Sequence, residues 1–222
     1  MAYFKTLTEP GKRSFADVDT TDGVDTLQFI EAAEGLVGIF GFMNKSMILS
    51  QVQDDLNGNI TKVRTRYEAN ESTSKTLEKL VENEKAVKGR PATEGLMWLL
   101  YGLSFTAQAL KNAQENKTEK FLSVSFAKSY KETLRPHHRM VTRPLFTAGM
   151  NSLSLTRDEF YDSLVVGPPP AKRTVTDEER KTLEEQLDKS LAGLSSIYTR
   201  LESFYITGRH DKGFSVTNGF KE

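Results

Sequence analysis

Between Ala92 and Asn112 the chain carries Leu96, Met97, Trp98, Leu99, Leu100, Leu103, Phe105 and Leu110, which fall on nearly every side of a helix. A helix with no polar face offers nothing to water, so it has to lie in the middle of whatever folds around it. Ser104, Thr106 and Gln108 interrupt the segment, which leaves it short of the ~20 apolar residues that a bilayer span needs. The shell around it is written in the same period. The other long segments repeat apolar residues every three or four positions, and strand-like alternation never runs for more than a few residues. The expected fold class is therefore all-α, with about eight helices and no internal repeat.

Helices are predicted at about 25–42, 46–69, 74–87, 92–112, 118–134, 136–149, 157–165 and 177–206. Capping boxes mark three starts, at Asp25–Gln28, Thr156–Glu159 and Thr176–Glu179. Gly89-Arg90-Pro91 separates two helices, and Gly208 suits the stop of the last. Gly167-Pro168-Pro169-Pro170 must be extended, and its shortness suits a link between helices of one domain. The expected division is an N-terminal arm at 1–24, one domain at 25–207 and a C-terminal tail at 208–222.

Composition removes several classes of chemistry. With no Cys among 222 residues, disulfides, a thiol nucleophile and thiolate metal sites are excluded. The three histidines are His137, His138 and His210, a poor basis for a His-rich metal site, and neither metal nor cofactor is expected. Thirty basic residues balance thirty acidic ones, which argues against a general polyanion binder, and nucleic acid is not an expected partner. The first ten residues are too polar for a secretory signal, so the expected location is the cytoplasm.

Within 46–69 the apolar stripe is Leu49, Val52, Leu56, Ile60, Val63 and Tyr67. Asp55, Asn59 and Lys62 form a narrow polar band at its edge, because steps of four and seven residues rotate by only about 40° and 20° on a helix. Gly58 beside the band leaves room for an approach from outside. The trio reads either as a surface polar cluster or as a site for a neutral polyhydroxyl ligand, since it offers a carboxylate, an amide and an ammonium. Trp98, the only Trp, is likewise either a core aromatic or a stacking platform, with Gly95 and Gly102 leaving its ring uncrowded.

Asp55-Leu-Asn-Gly-Asn59-Ile-Thr-Lys62, followed by Glu94-Gly-Leu-Met-Trp98-Leu, resembles the glycolipid transfer protein family. Leu134-Arg-Pro-His-His138 and then Leu145-Phe146 are similar to its next motif, and the resemblance covers roughly 25–207. It implies a two-layer sandwich of eight helices that encloses an apolar lipid pocket and carries a glycosphingolipid between membranes without covalent chemistry. In that reading Trp98 stacks on the first sugar, and Asn59 and Lys62 bond its hydroxyls. Asp55 accepts from the ceramide amide N–H and a sugar hydroxyl, and His138 donates to the amide carbonyl. Val52, Leu134 and Phe146 line the start of the acyl-chain pocket. Expected partners are a glycosphingolipid and, transiently, a membrane surface; the expected state is a monomer peripheral to membranes.

Three features depart from the family pattern. Glu94 stands where an apolar residue is familiar, Met140 stands where some members place a membrane-dipping aromatic, and the tail beyond Arg209 is an extension carrying Phe214 and Phe220. Lys128, Lys131, Arg135, Arg139 and Arg143 face a single acid, Glu132, which reads either as a solvated face or as a docking patch for anionic lipid. The alternatives to a glycolipid carrier are a ceramide-1-phosphate carrier and a lipid-sensing scaffold acting through a protein partner. A ceramide-1-phosphate site calls for several cations, and Trp98 and Gly102 occupy the two positions where that branch carries basic residues. A hydrolase built on Asp55 and His138 lacks a nucleophile motif.

Overall fold

In the computed structural model, the described residues are 12–43, 47–167 and 173–210, and they form eight α-helices. These are α1 (Thr26–Val37), α2 (Met47–Ala69), α3 (Leu77–Asn83), α4 (Pro91–Glu115), α5 (Leu122–Glu132), α6 (Arg143–Asn151), α7 (Arg157–Val166) and α8 (Asp177–Gly208). Two isolated backbone bridges, Asp25 with Thr76 and Phe121 with Thr156, are the only β-type pairings among those residues. The long apolar segment became α4, and Leu96, Leu99, Leu100, Leu103, Phe105 and Leu110 are all fully buried there. α2 packs along one side of α4 and is itself flanked by α1 and α6, while α3, α5 and α8 pack against α4 elsewhere. The α2–α4 seam is thus where the two layers of the sandwich meet.

The stripe read on α2 faces this seam: Leu49, Val52, Leu56, Ile60 and Val63 are buried and Tyr67 is partly so. Thr156 and Thr176 make full reciprocal capping boxes with Glu159 and Glu179. Asp25 caps α1 through Gln28 N, but Gln28 Oε1 accepts from Asp19 N, 2.8 Å away, so that box is half-formed.

Several boundaries differ from the sequence reading. α3 starts at Leu77, capped by Thr76, and turns 3₁₀ after Asn83, which leaves Val87 exposed. The helix expected from Pro136 is a series of turns, and α6 begins only at Arg143, with Pro144 in its first turn. Gly208 is the last helical residue of α8; Arg209 takes the left-handed cap at φ 48°. What requires glycine at 208 is packing, since the His210 ring lies where a Cβ would stand. The segment read as an arm reaches the core, with Phe15 buried and its N–H donating to Ser190 Oγ on α8. Pro168–Pro170, Phe214 and Phe220 lie outside the described residues.

Both ends of α4 are held by buried charges of the sign that its dipole favours. At the start, Glu84 accepts from Ala92 N (2.9 Å), Thr93 N (2.6 Å) and Thr93 Oγ1 (2.7 Å). At the end, Arg157 donates through Nε to Ala113 O (2.8 Å), pairs with Glu184 (2.7 Å) and covers the Tyr161 ring. Tyr205 Oη donates to Thr93 O, tying α8 to the same first turn. Neither clamp was readable beforehand, because each joins residues that lie on different elements.

Candidate functional site

Where α2 and α4 run together, two glycines of α4 lie directly under side chains of α2. A Cβ on Gly95 would meet the stem of Lys62, and one on Gly102 would meet Leu56. These glycines accept side chains of α2, and Gly102 borders the same cavity as Trp98. Gly58 does face open space, as expected.

A cavity of about 440 Å³ opens beside this seam. Asp54, Asp55, Gly58, Asn59 and Lys62 line it from α2, Glu94, Trp98 and Gly102 from α4, and His138 from the turns before α6. Val52, Leu56, Leu134 and Phe146, all buried, form its apolar side. All eight residues proposed from the sequence thus border one space, although they come from three separate stretches of chain. The polar band of α2 lies on the exposed side, with Lys62 Nζ donating to Asn59 Oδ1 at 3.0 Å. Trp98 is partly buried and meets Tyr101 edge-on at 5.6 Å. Tyr101 in turn stacks on His137 at 3.8 Å, so the first histidine of the pair supports the aromatic shelf while the second borders the cavity.

The charges around the cavity are lopsided: Asp54, Asp55 and Glu94 against Lys62. Partial burial, and then Asp54 beside it, push the Asp55 carboxyl above its ordinary range, while Lys62 pulls the other way. Asp55 is therefore a carboxylate that gains from an added hydrogen-bond donor. His138 is pushed down to about 4 by burial first, then by His137 and Arg143, so near neutrality its ring is uncharged. Its Nδ1 lies 3.1 Å from Tyr130 Oη, and its ring meets Phe146 edge-on at 4.4 Å.

Sequence reasoning missed Tyr130 and Arg143 as parts of this site. Arg143 had been counted with the docking cations, yet its Nε donates to His138 O at 3.0 Å and holds the turn that carries the histidine. Lys128, Lys131, Arg135 and Arg139 are exposed. The tip between α5 and α6 also exposes Met140 (81%), Val141 (79%) and Leu145 (68%). A shallow crevice of about 570 Å³ beside them is lined by Arg135 and Arg143 and by no carboxylate. Among the described residues no helix is long and apolar enough to cross a membrane, and no group of three potential metal ligands occurs.

The family model for Glycolipid transfer protein matches residues 24–166, the stretch that contributes every wall of the cavity. The chain belongs to the glycolipid transfer protein family. A glycolipid transfer protein of Aureobasidium melanogenum is 38% identical over 203 residues, covering 91% of this chain and 92% of the relative. The solved structure of a fungal glycolipid transfer protein, HET-C2, superposes with a TM-score of 0.76 at 33% identity, over 92% of this chain and 96% of that one. Mouse ceramide-1-phosphate transfer protein superposes equally well, at a TM-score of 0.77 over 97% of this chain and all of that one. Its 15% identity makes it a likeness of fold alone. The glycolipid transfer protein fold is thus shared by carriers of different head groups, and the side chains of the cavity have to distinguish them.

Proposed function

We propose that this protein is a non-enzymatic carrier that takes up one glycosphingolipid and moves it between membranes as a peripheral, monomeric protein. The observation that carries this reading is the cavity wall: an indole, an amide, an ammonium and carboxylates beside an apolar floor. Hydroxyls both donate and accept, and such a mixed set answers them. The indole face of Trp98 adds stacking area for a sugar ring. Asp55 and His138 supply an acceptor and a donor for an amide, which would be costly to bury unpaired. The chains follow Val52, Leu134 and Phe146 into the seam, each buried CH₂ contributing ~0.8 kcal/mol.

The wall argues against a phosphate head. A phosphomonoester carries nearly two negative charges and is met by guanidinium forks, whereas this cavity offers Lys62 against three carboxylates. At the tip, Met140, Val141 and Leu145 enter the bilayer surface, and the exposed Lys and Arg residues draw the protein to anionic lipid.

Competition transfer with matched acyl chains tests the assignment. A neutral hexosylceramide should outpace ceramide-1-phosphate at least tenfold, about 1.4 kcal/mol. Ceramide-1-phosphate moving as fast would sink the glycolipid assignment. Mass spectrometry of lipid co-purifying with the protein identifies the head group directly, and unchanged lipid after long incubation separates a carrier from a hydrolase.

A further inference from the structure

The hydrogen-bond neighbour of the His138 ring is a residue that does not line the cavity. Tyr130 is buried on α5, its ring stacked with Phe146 at 5.4 Å and edge-on to Phe105 at 6.4 Å. Its hydroxyl lies 3.1 Å from His138 Nδ1, and among the described residues that hydroxyl has no other hydrogen-bond partner. A neutral imidazole has one nitrogen that donates and one that accepts, so the neighbour of one nitrogen dictates the role of the other. If Nδ1 donated to Tyr130, the phenol proton would be left without an acceptor on a buried side chain, at a cost. If the phenol donates to Nδ1, both groups are satisfied and the remaining proton sits on Nε2. Among the described residues Nε2 has no partner, and it is the ring's one polar atom left for a ligand.

We infer that Tyr130 is a positioning residue, whose hydroxyl locks His138 as the Nε2–H tautomer so that the histidine offers the cavity a donor and never an acceptor. Phe146 against the ring and Arg143 on the backbone carbonyl fix the direction of that donor. The inference rests on the carrier reading for its ligand, a lipid carbonyl facing Nε2, and on the geometry alone for the tautomer. It also divides labour across the cavity: Asp55 only accepts and His138 only donates. A lipid amide then fits in one orientation.

Imidazole ¹⁵N shifts of the labelled wild-type protein read the tautomer directly, with no variant needed. The Nε2–H pattern for His138 is expected, and an Nδ1–H pattern would overturn the proposal. Tyr130→Phe keeps the ring and its packing, and should slow hexosylceramide transfer about tenfold with little change in Tm. In a His138→Gln background the same change should cost nothing more, because Tyr130 acts through the histidine. Equal losses in both backgrounds would assign Tyr130 to packing and overturn the proposal, as would wild-type transfer by Tyr130→Phe alone. A His138→Gln variant that transfers normally would instead remove the histidine from the carrier mechanism, and the ¹⁵N pattern would still decide the tautomer.

Discussion

At the scale of single residues, the two charged members of the α2 band are expected to act differently. Asp55 is raised above its ordinary carboxyl range by partial burial and by Asp54, and it lines the cavity, where the proposed ligand presents the amide N–H that all ceramides share. Asp55→Ala should therefore weaken binding of every ceramide-based glycolipid by ~1–3 kcal/mol, the cost of a buried donor left unpaired. Lys62 is exposed and already bonds Asn59. Lys62→Ala should cost less, and by an amount that varies with the sugar. Equal losses for both variants across a series of head groups would contradict this division. Helix geometry alone puts Asp55, Asn59 and Lys62 in one band, and the family resemblance was what read that band as a site. Tyr130 was not legible, since its bond to His138 spans a break between α5 and the turns before α6. No periodicity connects two residues on either side of such a break.

At the scale of elements, α4 depends on its two end clamps. Glu84→Ala leaves the N–H groups of Ala92 and Thr93 buried without their acceptor. A loss of about 2–3 kcal/mol is expected, which lowers Tm by roughly 5–10 °C in a protein of this size. Glu84→Gln, which keeps one acceptor oxygen, should fall between. Thermal melts that place all three proteins together would show that the carboxylate is dispensable. The tip carries a different expectation. Arg143 serves the His138 turn, so a clean test of docking charge leaves it in place and replaces Lys131, Arg135 and Arg139 by Gln. That variant should transfer more slowly from anionic vesicles at low salt and match wild type from neutral ones, with salt removing the difference. Unchanged transfer from anionic vesicles at low salt would return these residues to an ordinary solvated surface. The helices themselves were largely legible because burial of one face sets their period, as on α2 and α4. The stretch at 136–142 was misread as helix although only Arg139 and Met140 in it are strong helix formers, and the pull of Arg143 on two carbonyls of the turn lies outside any local pattern.

For the molecule as a whole, acid is expected to loosen the fold before carboxylate loss begins. His138 has its folded value pushed down to about 4, against 6.5 for an ordinary histidine, and burial lowers His137 and His210 as well. As pH falls from 6.5 toward 4 the unfolded chain takes up these protons first, so stability drops through that window. Asp55 and Glu202, raised by burial, act in the opposite sense. Glu179, held near 2 by Arg173 and Thr176, contributes only at more acid pH. The histidine share is isolated by comparing wild type with His138→Gln: the variant should lose less Tm between pH 7 and pH 5, and parallel curves would refute the assignment. Trp98 gives the molecule one further property. It is the only indole in 222 residues, and it lines the cavity, partly buried against the core. All long-wavelength fluorescence of the protein therefore originates at one spot on the wall of that cavity. A sugar settling on the ring displaces water from the excited dipole, so the emission should shift to the blue as lipid is taken up and return when it is delivered. The protein thus carries its own label, through which each loading and unloading can be followed in stopped flow without chemical modification of carrier or cargo.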